Sequence, residues 1–145
     1  CGTGRVGARL AEAGHTVVGV DADPELVDAA RADHPALDWR VGDLADLDAV
    51  LGGARFDAAI LAGNVMPYLA AGTEVQVLRQ VAGCLRPDAP VLVGFAAELG
   101  YAVADFDRHA EEAGLRVDQR FATWDLRPWR PGGDYAVTVL RPRVP

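Results

Sequence analysis

The residues best equipped for chemistry stand at the very start of the sequence. Gly2-Thr3-Gly4-Arg5-Val6-Gly7 has the spacing GxGxxG, and Asp21 follows Gly2 by nineteen residues. Glycines at Gly2 and Gly4 let the backbone pass close to a ligand and point amides at it. An acid at the end of the following strand accepts hydrogen bonds from ribose hydroxyls. Together these are the means by which an open α/β sheet holds a nucleoside. On these residues alone a nicotinamide or flavin enzyme stays open. So does a structural reading, in which the glycines only allow tight packing of helix on strand.

Other reactive side chains are few. His15 falls in the turn before a strand, His34 precedes Pro35 in a loop, and His109 lies on a peripheral helix. Each reads as a surface or turn histidine, and none as an evident general base. Cys1 sits in the glycine turn and Cys84 late in a helix, where it reads as core. Two scattered cysteines make neither a metal site nor a disulfide framework, and they suit a reducing cytoplasm. Arg5 reads as a solvated arginine at a helix start. Trp124, Arg127 and Trp129 cluster in sequence around a late loop. Such a group can stack a planar ligand, but a satellite core beneath the loop is the favoured account.

Composition narrows the class of protein. The 145 residues are 50% hydrophobic and 24% charged, as in an ordinary soluble globular chain, and their length suits one domain over residues 1–145. A net charge of −7 repels phosphate backbones, and no basic patch with interleaved aromatics offsets it. Nucleic acid is therefore not an expected partner. No apolar run approaches the roughly 20 residues of a membrane span, and nothing resembles a signal peptide.

The elements that must position the turn and the acid follow from periodicity. Val6, Leu10 and Ala13 recur at helical spacing, which predicts a helix from about Arg5 to Ala13 with Gly14 as its left-handed stop. Thr16–Val20 is a short β-branched strand. Asp23 as N-cap and Pro24 at the first helical position open a helix to about Arg31. Ala36–Val41 makes the next strand, ending in Gly42-Asp43, and Asp46–Leu51 a short helix ended by Gly52-Gly53. Phe56–Ala62 is a buried strand leading into Gly63-Asn64. Thr73 and Gln76 form a capping box for a helix from about Glu74 to Leu85. Pro90–Ala96 is a strand and Val103–Ala113 a helix ended by Gly114. Leu115–Trp124 and Tyr135–Leu140, joined by a Pro/Gly-rich loop and no helix, read as an antiparallel pair at a sheet edge. The fold class is α/β: a doubly wound, mostly parallel sheet with helices on both faces and a C-terminal antiparallel hairpin. The glycine turn comes first, with no initiator Met, so the first central strand is expected to lie outside this sequence.

Over nearly its whole length the sequence resembles the class I S-adenosylmethionine-dependent methyltransferases, in five motifs in order. CGTG, Cys1 to Gly4, is similar to the end of the turn that cradles the methionine portion of the cofactor, which implies Gly2, Thr3 and Gly4 as contacts. GVDADPELV, Gly19 to Val27, resembles the second motif, whose acid binds ribose; the resemblance assigns that role to Asp21, with Ala22 beside it. VGDLADL, Val41 to Leu47, resembles the third, implying Asp43 at the adenine amino group, the Leu44 amide at the ring, and Gly42 next to them. FDAAILAGNVMPYL, Phe56 to Leu69, resembles the fourth strand and its loop, so Ala62, Gly63 and Asn64 border the methyl-transfer centre. LRPDAPVLVGF, Leu85 to Phe95, matches the turn and fifth strand, with Asp88 where a glycine is more usual.

What the resemblance implies is S-adenosyl-L-methionine as cofactor and a small-molecule O- or N-acceptor. Asn64 either orients the acceptor, touches the methionine portion or caps its loop. Met66 and Tyr68 line the acceptor pocket or pack the loop on the sheet, and Trp39 packs near the adenine side. Asn64-Val65-Met66-Pro67-Tyr68 departs from the Asn-Pro-Pro-Tyr run of enzymes that methylate DNA amino groups. Asp21→Ala is expected to weaken nucleoside binding with little loss of fold. The competing accounts are a fragment of an NAD(P)-binding Rossmann oxidoreductase and a truncated domain that binds cofactor without activity.

Overall fold

The computed structural model describes residues 1–143. Their elements fall into two compact units, Cys1–Gly52 and a second that begins at Gly53.

The first unit holds α1 (Arg5–Glu12), β1 (Val18–Asp21), α2 (Pro24–Asp33), β2 (Asp38–Val41), a 3-10 turn at Leu44–Asp46 and α3 (Leu47–Leu51). Gly14, with φ 93°, follows α1 in the left-handed conformation that its sequence position predicts. At the start of α2 the Asp23 carboxylate accepts from the Glu25 amide at 2.9 Å, and Pro24 takes the position whose N–H would go unpaired anyway. Strands β1 and β2 pair in parallel, from Val18 opposite Asp38 to Asp21 opposite Val41. Both are shorter than predicted at their starts. The turn His34–Leu37, closed by the Leu37 amide on the His34 carbonyl at 3.2 Å, delays pairing until Asp38. Val27 and Ala30 of α2 are buried against Trp39 of β2 and form the core of this unit.

The second unit contains β3 (Ala59–Leu61), a 3-10 turn at Met66–Tyr68, α4 (Glu74–Gly83), β4 (Val91–Ala96), a further 3-10 turn at Ala97–Leu99, α5 (Val103–Glu112), β5 (Leu115–Phe121) and β6 (Tyr135–Pro142). The four strands lie in the order β3-β4-β6-β5. The β3–β4 pair is parallel, and β6 runs antiparallel to both β4 and β5, so the expected C-terminal hairpin is present with β5 at the edge. Val91, Val93 and Phe95 alternate onto one face of β4 and are fully buried. Phe95 meets Tyr101 and Phe106 with ring centroids 5.5 and 5.3 Å away, locking α5 to that face. The chain is thus an α/β fold with an antiparallel C-terminal hairpin.

Two local expectations need correction or sharpening. The capping box at Thr73 does not form: its hydroxyl turns back to the Ala70 carbonyl at 2.6 Å, and the side chain makes no cap bond to α4. Phe56 is linked to Leu85 by one isolated bridge, and the β3 ladder resumes only at Ala59, which shortens the predicted strand. Asp88, placed where a glycine is more usual, has the glycine-like φ of 60°.

Candidate functional site

The glycine turn is held shut from below by the acid nineteen residues on. Cys1 to Gly4 forms a turn closed by the Gly4 amide on the Cys1 carbonyl at 3.2 Å, with Gly2 and Gly4 at φ 56° and 83°. Those angles favour glycine. Asp21, the last residue of β1, then clasps the turn. Its Oδ2 accepts from the Gly2 amide at 2.7 Å and from the α-amino group of Cys1 at 2.8 Å, while Oδ1 accepts from the Asp23 amide at 3.1 Å. A carboxylate offers about four acceptor positions, so three are filled and one, on Oδ1, stays open to an outside donor. The side chain is 22% exposed. Burial pushes the Asp21 carboxyl up, but the hydrogen bonds from Cys1, Gly2 and Asp23 outweigh it and hold the group below its ordinary value.

The expectation that Asp21→Ala spares the fold is therefore corrected: the carboxylate is a structural clasp on the turn.

Beside Asp21 stands the end of β2. The Gly42 amide donates to the Asp21 carbonyl at 2.9 Å, which continues the ladder one step and sets Asp43 just beyond it. Asp43 is exposed, and its Oδ1 caps the following 3-10 turn through the Ala45 amide at 2.8 Å. Leu44 is half-buried and Ala22 exposed. Gly42 is glycine because a Cβ there would stand 2.4 Å from Val50 of α3. Gly2, Asp21 and Gly42 are thus joined by hydrogen bonds, with Thr3, Gly4, Ala22, Asp43 and Leu44 adjoining them in sequence.

Ala62, Gly63 and Asn64 belong to the second unit. Gly63 and Asn64 both take left-handed angles, 78° and 66°. The Asn64 side-chain oxygen accepts from the Ala96 amide at 2.8 Å, taking the place of a backbone carbonyl where β3 has already ended. That contact fastens the loop after β3 to the carboxyl end of β4. Met66 is in the core, whereas Tyr68 is 74% exposed.

The late aromatic cluster separates into two. Trp124 lies against Gly94, where a Cβ would come within 2.4 Å of its ring, and donates to the Tyr135 hydroxyl at 3.2 Å. Trp129 instead packs under Arg120, whose guanidinium sits 5.1 Å from the ring centroid. Arg120 also donates to Thr138 at 2.9 Å and is ion-paired with Asp107 of α5. In the β4–β6 register Thr138 shares a face with Val93, and Gly94 points the other way, so the two tryptophans serve opposite faces. The arginine that matters is Arg120, which the sequence reading missed; Arg127 makes a surface pair with Asp125. A signal existed in Arg120 itself, a charge within a strand that ends in Phe121.

Arg120 and Trp129 also line an open cavity of about 550 Å³, together with Ala97, Asp107, Gly132 and Asp134. His109 is no isolated surface histidine: its Nδ1 lies 2.7 Å from the Tyr101 hydroxyl, and the two rings stack. Burial, then the charge of Glu74, pushes the Tyr101 hydroxyl up, so that it stays protonated.

The family model described as a methyltransferase domain matches residues 1–88. A TehB-like S-adenosylmethionine-dependent methyltransferase from Corynebacterium glutamicum is 37% identical, with a TM-score of 0.91 over 99% of this chain and 77% of that one. The CcbJ methyltransferase from Streptomyces caelestis is 21% identical, with a TM-score of 0.87 over 99% and 81% of the two chains. The 1,6-didemethyltoxoflavin-N1-methyltransferase of Burkholderia thailandensis, solved with bound 1,6-didemethyltoxoflavin and S-adenosylhomocysteine, is 20% identical with a TM-score of 0.73, over 99% of this chain and 68% of that one. Among curated proteins none matches. The oxidoreductase alternative falls with these findings. The chain belongs to the class I S-adenosylmethionine-dependent methyltransferases, and S-adenosyl-L-methionine is its cofactor.

Proposed function

We propose that this chain, as one domain over residues 1–145, transfers the methyl group of S-adenosylmethionine to an oxygen or nitrogen of a small molecule. The family match over residues 1–88 runs across the boundary at Gly53, which supports a single functional domain. When bound, the cofactor supplies a methyl group already activated by its sulfonium. The chain's own task is then to hold and orient, since positioning can supply about 7–11 kcal/mol in favourable cases.

The observation that carries the reading is the Asp21 clasp. It leaves one open acceptor position beside a glycine turn, and the space over Gly2 is clear, since a Cβ there would meet nothing within 4 Å. In this assignment Gly2, Thr3 and Gly4 hold the methionine portion, and Asp21 and Ala22 the ribose. Gly42, Asp43 and Leu44 hold the adenine, while Ala62 and Gly63 border the reacting methyl. Asn64 is a positioning residue, because its side-chain oxygen is committed to Ala96.

The cavity of about 550 Å³ lies within the roughly 300–1,000 Å³ range of small-molecule sites. It includes Ala97, one residue beyond the Asn64 contact, which supports it as part of the acceptor site. The similar N1-methyltransferase is named for, and was solved with, 1,6-didemethyltoxoflavin, in keeping with a small-molecule acceptor. The test is methyl transfer from isotopically labelled S-adenosylmethionine to panels of small phenols, carboxylates and amines, with DNA and RNA in parallel. Labelled small-molecule products are expected; label found only in nucleic acid would overturn the assignment.

A further inference from the structure

We infer that Trp39 is a positioning residue for the cofactor turn, acting through the glycines that rest on it. Three glycines from separate elements converge on its indole. A Cβ at Gly4, in the turn, would lie 2.9 Å from Cη2; one at Gly7, in α1, 2.7 Å from Cη2; and one at Gly19, in β1, 2.3 Å from Cε3. Contacts below 3.0 Å do not occur for real Cβ atoms, so the ring claims the volume that three side chains would otherwise fill.

The indole is itself fixed. It is 3% exposed and donates through Nε1 to the His34 carbonyl at 2.9 Å. The backbone carbonyl of Trp39 accepts from Arg31 at 2.9 Å, and the ring is clustered with the buried Val27 and Ala30. Two glycines of the GxGxxG run are therefore demanded from inside the protein, and only Gly2 faces open space.

The indole is the floor on which the turn rests. Its height sets how far Gly2 and Gly4 stand above β1, and with them the amides offered to the methionine portion. Adenosine, by contrast, is assigned to Asp21 and Asp43, at strand ends held by the β1–β2 ladder. Shrinking the ring lets the turn sink into the vacated volume while the ladder stays. The inference rests on the assignment of the turn to the methionine portion.

Calorimetry on the full chain with two probes, S-adenosylhomocysteine and adenosine, separates positioning from general support. Trp39→Leu is expected to weaken S-adenosylhomocysteine about tenfold, which corresponds to about 1.4 kcal/mol, and adenosine by less than about threefold. Trp39→Phe, which keeps an aromatic floor, gives an intermediate loss in the same order and serves alone if the leucine variant does not fold. Equal losses for the two probes, or unchanged S-adenosylhomocysteine affinity in a variant with a normal melting transition, overturn the inference. A wild-type chain that binds neither probe overturns the cofactor assignment and this inference with it.

Discussion

Asp21 clasps the turn and, in the proposed account, also receives the ribose, so Asp21→Ala is read twice, in stability and in affinity. Three backbone or terminal donors end on it, so Asp21→Ala strands the Gly2 amide and loosens the turn. The expected cost is about 1–2 kcal/mol of stability by urea unfolding. Loss of the ribose acceptor should add a fall of about 100-fold in S-adenosylhomocysteine affinity, read by calorimetry. The pH dependence has a fixed sign. The folded carboxyl titrates below its ordinary 3.8, so its contribution is complete above that value and is lost as the pH falls through the lower folded one. Acid unfolding of the wild type should therefore have a component below pH 3.8 that Asp21→Ala lacks. At this scale the sequence showed which residue types mattered, through the nineteen-residue spacing of Gly2 and Asp21. It did not show that the acid also closes the turn, because that bond exists only once β1 has returned beside Cys1. Nor did it show why Gly7 and Gly19 are glycines, since their common neighbour, Trp39, is remote in sequence.

The elements were legible where an apolar run met a strong stop. Gly14, Gly52 and Gly114 take left-handed angles as expected, and Asp23-Pro24 opens α2. What escaped were bonds that override a local signal, such as the Thr73 hydroxyl turning to Ala70 and the bridge that detaches Phe56 from β3. The loop after β3 depends on a bond of this kind. Asn64→Ala leaves the Ala96 amide without its acceptor and forces alanine into a left-handed angle, with an expected loss of about 2 kcal/mol by urea unfolding. Asn64→Asp keeps an oxygen there and should lose much less. The loop between β5 and β6 makes the opposite prediction. Leu126 is 62% exposed and has φ 65°, a conformation that costs a side chain with a Cβ about 1–2 kcal/mol. Leu126→Gly should raise the melting temperature; no rise would mean that the backbone changes conformation at this tip.

At the scale of the whole molecule, each compact unit carries its own residues of the proposed assignment. The first offers the turn, Asp21 and Asp43; the second offers Asn64 and the cavity beside Arg120 and Trp129. The formal charge of −7 predicts no retention on duplex DNA in a filter-binding assay at physiological salt. Among the described residues no helix is long and apolar enough to cross a membrane. The proposed acceptor site was the least legible feature, because the cavity assigned to it is built by Arg120, Trp129 and the loop after β4, which no single spacing unites.

The central claim is that the glycine turn and its acid receive a sulfonium cofactor, the turn its methionine portion and the acid its ribose. Calorimetry on the unmodified chain with S-adenosylhomocysteine in one cell and NADH in another tests it most directly. The account predicts saturable binding of S-adenosylhomocysteine and none of NADH; binding of NADH alone would contradict it.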